Sequence, residues 1–190
     1  MLLLAIETSC DETAVSFVEA RGEFPDAEYE VLGNALWSQI DIHREYGGVF
    51  PAVAKREHAA TLVPMLEKAL TESELPKTDY SPALDPDTEL QIRQLLEREP
   101  GLADQLLTFH REQGRIAIAR IAVTNGPGLE PALWVGINFA RALGILWDVP
   151  VVPVDHMEGH ILASVYDVDR DLQLSAISFP AIALLISGGH

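Results

Sequence analysis

The stretch LLLAIETSCDETAVSFVEA, residues 2–20, predicts the framework of the fold. Residues 2–7 are a short apolar run, which is typical of a buried central strand. A polar turn follows, and residues 13–20 then alternate apolar and polar side chains as a half-buried strand does. These features predict a hairpin over residues 2–20, and residues 29–38 predict a third antiparallel strand.

Further along the chain, the apolar pattern alternates between strand and helix spacing. Three more strands are predicted, over residues 116–124, 149–155 and 180–187. Two helices are predicted, over residues 52–73 and 131–147, and Pro64 predicts a kink or a break in the first of them. Hairpin strands followed by β-α-β units predict an α/β fold with a sheet of mixed direction.

Residues 74–115 differ in composition from the rest of the chain, with four prolines and many charges. Within them, DPDTELQIRQLLERE has an N-cap-like aspartate, an acidic first turn and helical apolar spacing. We expect these residues to form an exposed helical insertion rather than a domain.

Bulk properties exclude several classes of protein. The chain has 190 residues and one cysteine, Cys10, which excludes an internal disulfide and fits a reducing compartment. No apolar run approaches the roughly 20 residues of a membrane span. The net charge of −16 argues against binding of nucleic acid by this chain alone, because phosphate binding needs clustered Lys and Arg.

The segment HMEGH places His156 and His160 four residues apart on a predicted helix. Residues at this spacing share a helix face, so the two imidazoles can bind one divalent metal. The pattern differs from the zinc-protease motif, because Met157 stands where that motif has its glutamate and Glu158 points roughly 200° away from His156. The alternative is that both histidines cap or line a buried helix.

Three glycine or hydroxyl turns follow predicted strands, at residues 7–13, 124–133 and 187–190. Backbone N–H groups at such turns can approach an anion without obstruction by side chains. Each turn alone is more often simply structural, and none matches a P-loop or a Rossmann fingerprint.

Five ordered blocks nevertheless resemble one family closely. They are IETSCDET (6–13), HREYGGVFPAVAKREH (43–58), TNGPGLEPALWVG (124–136), HMEGH (156–160) and LLISGGH (184–190). This pattern is similar to that of the tRNA threonylcarbamoyladenosine transferases, called TsaD in bacteria. The resemblance implies the α/β fold of actin and the sugar kinases, with the chain forming an N-terminal lobe over residues 1–190 and the C-terminal lobe missing.

The resemblance also implies a reaction and a site. The family moves a threonylcarbamoyl group from its adenylate to the N6 amine of the adenosine next to the anticodon of tRNA. One divalent metal ion, iron or zinc, would be bound by His156 and His160, with an aspartate from the second half of the protein as a third ligand. The substrate-binding residues would be Leu185, Ile186, Ser187, Gly188 and Gly189. A catalytic base is not identified.

Implied partners are tRNA, threonylcarbamoyl-adenylate, a smaller TsaB-like paralogue and a TsaE-like ATPase, in the cytoplasm and without a membrane. A single lobe would expose apolar surface, so we expect self-association, or pairing through the face built by helix 52–73. We expect the chain alone to be an inactive N-terminal fragment.

Two alternatives to this enzyme are a non-catalytic pairing paralogue and a metalloprotease. Such paralogues lack H-x-x-x-H, so the two histidines favour the enzyme. Among the remaining residues, Glu7 needs a partner at the end of an apolar strand and is a functional candidate, whereas Cys10 is expected to pack. His43 and His58 are interpreted as structural or partner-facing. Asp155 could cap the histidine helix or hydrogen-bond a ligand histidine, and we favour the cap.

Overall fold

The computed structural model describes residues 1–23, 27–76, 84–164, 172–173 and 180–184. Its centre is a mixed sheet with the strand order β5-β4-β1-β2-β3-β6. The strands are β1 (Leu2–Glu7), β2 (Glu12–Arg21), β3 (Glu28–Ser38), β4 (Arg120–Gly126), β5 (Val151–Asp155) and the short β6 (Leu172–Gln173). The predicted hairpin and third strand are confirmed, and so is the α/β class.

The direction of the strands changes at β1. On one side, β1 pairs antiparallel with β2, whose outer neighbour is β3, also antiparallel. On the other side, β1 pairs parallel with β4, and β4 pairs parallel with β5. Since a parallel pair needs a crossover connection, the chain inserts helices before β4 and β5 and only tight turns within the first hairpin.

The described helices are α1 (Ile40–Arg44), α2 (Pro51–Glu72), α3 (Pro86–Leu95), α4 (Leu102–Gln113), α5 (Glu130–Trp147) and α6 (His156–Ala163). The long helices α2 and α5 correspond to the two predicted ones. Both pack on one face of the sheet, where strand residues such as Leu4, Phe17 and Ile121 are fully buried. Burial of this apolar surface is the main source of stability of the fold.

Helices α3 and α4 correct one expectation about residues 74–115. Both helices lie outside the sheet, but each has a buried face: Ile92, Leu106 and Phe109 belong to the same core as α2 and α5. The reason is the amphipathic spacing of both helices, which gives each an apolar face that must be covered. That the segment is an insertion relative to its relatives stays a prediction.

Two further predictions are corrected. Pro64 does not break α2. Proline has no N–H group to donate to the carbonyl of Ala60 one turn earlier. Because both residues lie on the exposed side of the helix, water can donate a hydrogen bond to that carbonyl instead. Residues 180–184 are not a strand, since they have no regular structure and Ile182 is fully exposed. An apolar run becomes a buried strand only beside a strand that pairs with it. The rest of that prediction, 185–187, lies outside the described residues.

Within the described ranges, no helix is both long enough and apolar enough to span a bilayer.

The packing of α4 gives a stability prediction. Leu106→Ala should lower the free energy of unfolding by about 2–5 kcal/mol, because it leaves a cavity in a fully buried site. Chemical denaturation followed by circular dichroism measures this loss. Leu90→Ala in α3 is the matched control, since Leu90 is 54% exposed and should change stability by less than about 0.5 kcal/mol. If Leu106→Ala changed the free energy of unfolding by as little as Leu90→Ala does, the burial of α4 in the core would be contradicted.

Candidate functional site

The candidate site lies where the three parallel strands end. The carboxyl ends of β1, β4 and β5 meet at one edge of the sheet and bring Glu7, Thr124 and Asp155 together. Ligands of open α/β sheets bind at this edge. A cavity of about 360 Å³ opens there, on the sheet face opposite to α2 and α5. Small side chains form its floor, at Ala5, Ala14, Ser16 and Ala122.

Both predicted metal ligands line this cavity. His156 is the first residue of α6 and His160 lies one turn later, so their rings meet edge to face with centroids 4.5 Å apart. Their Nε2 atoms are 3.0 Å apart. Asp155 caps the helix, its carboxylate accepting hydrogen bonds from the N–H groups of Met157 at 2.7 Å and Glu158 at 3.2 Å. The favoured cap interpretation of Asp155 is therefore confirmed.

The two histidines suit a divalent metal. Tetrahedral coordination with metal–nitrogen bonds of about 2.0–2.1 Å separates two ligand nitrogens by about 3.3 Å. The observed separation of 3.0 Å between the Nε2 atoms of His156 and His160 needs only a small adjustment to reach this value. Imidazole nitrogens are ligands that zinc and iron both accept. Within the described part of the chain, no third His, Cys, Asp or Glu completes such a group.

Glu158 is not placed as the base of a zinc protease would be. Its side chain is exposed, and no hydrogen bond or ion pair joins it to either imidazole among the described residues. The orientation argued from the sequence thus agrees with the structure, and it weighs against peptide hydrolysis.

Glu7 lies on the other side of the His156 ring. Its Oε2 atom is 3.3 Å from Nδ1 of His156 and also accepts a hydrogen bond from the Thr124 hydroxyl, while Oε1 accepts one from the Ser9 N–H group. Burial by itself would raise the pKa of Glu7, but the hydrogen bonds from Thr124 and Ser9, with the nearby His156, together hold that pKa below its ordinary value. Glu7 is therefore a carboxylate at neutral pH.

Two predicted turns pack directly on each other beside this carboxylate. The N–H group of Leu129 donates to the Ser9 carbonyl at 2.7 Å. A Cβ atom at Gly128 would stand 2.6 Å from that same carbonyl oxygen, and one at Gly136 would stand 2.3 Å from Oγ1 of Thr8. Only glycine permits this approach, so Gly128 in the second turn and Gly136 in α5 allow the first turn to pack against them.

The first turn is also held from the side of α2. Nε2 of His58 is 3.0 Å from the Cys10 carbonyl oxygen, which can only accept, so Nε2 carries the proton. Nδ1 of His58 is then an acceptor and receives the Thr13 hydroxyl at 2.8 Å. His58 is fully buried, which confirms the structural interpretation of this residue.

The same network continues to His43 and reaches the start of α2. The Phe50 N–H group donates to Nδ1 of His43 at 3.3 Å, and Nε2 of His43 donates to Oε1 of Gln39 at 2.9 Å. The Gln39 amide lies 3.4 Å from Nδ1 of His58. In both imidazoles Nε2 donates a hydrogen bond and Nδ1 accepts one.

Cys10, half-buried in the first turn, is a poor nucleophile. Burial raises the pKa of its thiol to about 11, with a further contribution from the neighbouring Asp11. Because the thiolate is the reactive form, the thiol is inert near neutral pH.

The sequence-predicted residues divide into two groups. His156 and His160 come together as predicted. Leu185, Ile186, Ser187, Gly188 and Gly189 lie outside the described residues, so their role stays a prediction. Sequence reasoning missed three contributors, Ser9, Thr124 and Gln39. Their types are common in turns and strand ends, and only the topology shows that they face Glu7, His156 and His58.

The burial of His58 gives a pH prediction. Burial lowers the pKa of His58 in the folded protein, partly offset by its bond to Cys10. Once the pH falls below about 6.5, the unfolded chain binds a proton that the folded protein does not, so stability falls with the pH. His58→Gln should be less stable near pH 7.5, by about 1–3 kcal/mol, but should lose less stability between pH 7 and pH 5. Denaturation curves at several pH values measure both effects, and equal slopes in the two proteins would contradict the assignment.

Sequence comparisons with known proteins agree with the motifs. The family model of tRNA N6-adenosine threonylcarbamoyltransferase matches residues 30–81 and 89–190. A protein of that name from Thermomicrobium roseum is 36% identical over 190 residues, which are 100% of this chain and 40% of the relative. YeaZ from Pseudomonas aeruginosa aligns over 85% of this chain and 46% of its own, at 19% identity and a TM-score of 0.41.

A second Pseudomonas aeruginosa structure, described as an uncharacterized protein with similarity to peptidase YeaZ, aligns over 85% of this chain and 45% of its own, with the same identity of 19% and TM-score of 0.41. The curated relative covers all the strands, turns and the histidine helix from which the site is built, and the family model covers β4, β5, the second turn and the histidine helix. The chain belongs to the tRNA N6-adenosine threonylcarbamoyltransferase family.

Proposed function

We propose that this chain forms part of an enzyme that transfers a threonylcarbamoyl group from threonylcarbamoyl-adenylate to N6 of the adenosine next to the anticodon of tRNA. The chain spans 40% of the length of its relative from Thermomicrobium roseum. The activity is therefore proposed for the longer protein, and this chain contributes one side of the site.

The observation that carries the proposal is the convergence of His156 and His160 at the carboxyl edge of the parallel strands. The H-x-x-x-H motif is specific to the catalytic proteins that the chain resembles. Its two Nε2 atoms lie 3.0 Å apart beside a cavity. A non-catalytic pairing subunit has no need of two converging imidazoles at a solvent-accessible edge. The arrangement thus favours an enzyme over such a subunit.

His156 and His160 would hold one divalent metal ion, iron or zinc. When bound, such an ion supplies Lewis acidity toward a carbonyl oxygen such as that of a carbamoyl group. The chain's own residues would place the ion: His156 and His160 present two Nε2 atoms 3.0 Å apart, and Asp155 fixes the start of the helix that carries them. The third ligand would come from outside the described residues.

The cavity beside the histidines would receive the reacting end of the donor. Its floor of small side chains leaves space next to the sheet, and the substrate contacts proposed from the resemblance are Leu185, Ile186, Ser187, Gly188 and Gly189. With a net charge of −16, this chain is not suited to hold the tRNA backbone alone. Other parts of the protein or basic partner surfaces would supply the Lys and Arg residues.

The proposed assembly includes a smaller TsaB-like paralogue and a TsaE-like ATPase, and it would act in the cytoplasm. Pairing through the exposed side of α2, or self-association of the chain, is part of the same proposal.

The experiment is an assay of threonylcarbamoyladenosine formation in unmodified tRNA, with threonylcarbamoyl-adenylate and the accessory proteins supplied. The longer protein containing this chain should form product, whereas the 190-residue chain should not, because two imidazoles are fewer than the three protein ligands usual at a catalytic metal. In the longer protein, His156→Ala and His160→Ala should each lower the rate by at least about 100-fold, since loss of a ligand costs more than the 10–100-fold typical of its outer partners.

Glu112→Gln is the control for this assay, because Glu112 is an exposed residue of α4, outside both the histidine site and the face of α2 that is proposed for pairing. It should retain the unmutated rate. Full activity of both histidine variants would remove the metal from the proposal, and absence of product from the longer protein would overturn the function itself.

A further inference from the structure

The imidazole of His156 is held on the side that faces away from His160. Its Nδ1 atom is 3.3 Å from Oε2 of Glu7 and 3.2 Å from Oγ of Ser9. Its Nε2 atom, across the ring, faces Nε2 of His160 at 3.0 Å. Nε2 therefore meets the proposed metal position, and Nδ1 meets a hydroxyl, which can donate or accept, and a carboxylate, which can only accept.

This placement excludes Glu7 as a ligand of the same ion. A metal bound by Nε2 of His156 lies on the opposite side of the imidazole ring from the Glu7 oxygens. Glu7 instead occupies the position of a hydrogen-bond acceptor behind a ligand histidine. Such an acceptor keeps the proton on Nδ1, leaves the lone pair of Nε2 free for the metal and increases the basicity of the ring.

Glu7 is itself fixed by donors from two other segments. The Ser9 N–H group binds one carboxylate oxygen and the Thr124 hydroxyl binds the other. Thr124 lies on β4, and Ser9 belongs to the turn that Gly128 and Leu129 hold in place. Since both oxygens have a donor from the rigid sheet edge, the carboxylate has little freedom to turn away from His156.

We propose that Glu7 is a positioning residue of the metal site, which acts through His156 by fixing the tautomer and the orientation of its imidazole. This rests on the proposed function in one respect, namely that His156 is a metal ligand. It assigns to the carboxylate at the end of β1 a role that needs neither tRNA nor the donor substrate.

The first test is the tautomer of His156 in the metal-free 190-residue chain. Long-range ¹H–¹⁵N correlation spectra distinguish a proton on Nδ1 from one on Nε2. The unmutated chain should show His156 with its proton on Nδ1. Glu7→Gln has nearly the same shape, but its amide can donate to Nδ1 as well as accept from it, so the spectrum should show a mixture of tautomers. A purely structural role of Glu7 would not change this signal in a folded variant.

The second test is binding of Co²⁺, whose visible absorption reports coordination by nitrogen ligands. His156→Ala should abolish the spectrum, and Glu7→Gln should weaken the apparent affinity by about 10–100-fold, as expected for loss of the partner of a ligand histidine. Glu158→Gln is the matched control, because it removes an exposed negative charge from the same helix without a contact to either imidazole among the described residues. It should change the affinity by less than about threefold.

A second pair of variants separates positioning from folding. Thr124→Val removes the hydroxyl that binds Glu7 while keeping the shape of the side chain, and Thr124→Ser keeps the hydroxyl. Only Thr124→Val should weaken Co²⁺ binding, in the same direction as Glu7→Gln but by less. Circular dichroism and thermal unfolding establish that each variant is folded.

The outcomes distinguish this inference from the proposed function. If His156→Ala abolishes Co²⁺ binding but a folded Glu7→Gln binds Co²⁺ and keeps its tautomer like the unmutated chain, the positioning role is overturned and the metal site stands. If His156→Ala binds Co²⁺ as tightly as the unmutated chain, His156 is no ligand, and the inference is overturned together with the metal part of the proposed function.

Discussion

The parallel pairing of β1 with β4 is the constraint on which the rest of the structure depends. It joins a hairpin from the start of the chain to β-α-β units that begin more than a hundred residues later, in register from Leu3 opposite Arg120 to Ile6 opposite Val123. Because the strands run in the same direction, their carboxyl ends share an edge. A shift of β4 by one residue would turn Thr124 to the helical face, away from Glu7 and from the cavity.

The turn after β1 has to remain in place although it is a polar segment at the edge of the sheet. Two sets of contacts hold it. Gly128 of the second turn lets Ser9 approach closely and Gly136 of α5 does the same for Thr8, while the neutral imidazole of His58 binds the Cys10 carbonyl from the side of α2. The turn is therefore fixed between the two longest helices. The Ser9 N–H group is therefore held in the position from which it donates to Glu7.

Local patterns were sufficient to predict much of this arrangement. An apolar run predicted β1 and alternation predicted β2, and the four-residue spacing of His156 and His160 predicted their convergence, since each depends on the pattern of a single element. Two features could not be predicted: the packing of residues 86–113 against the core, and the lack of a strand over residues 180–184. Each depends on whether another element covers an apolar face. The contact of Glu7 with His156 spans 149 positions and follows only from strand order.

Because His156 is the first residue of α6, a cation bound to it would be repelled by the helix N-terminus, and the neighbouring carboxylates offset this repulsion. The N-terminus of a helix carries a partial positive charge of about half a unit, so it disfavours a divalent metal bound by its first residue. Asp155 caps the exposed N–H groups there, and Glu7 places a second negative charge behind the ring. Its pKa is held below the ordinary value by donors that do not belong to the helix, so the charge persists at neutral pH. The cap and the strand-end carboxylate together would offset this partial charge for the proposed metal ion at His156 and His160.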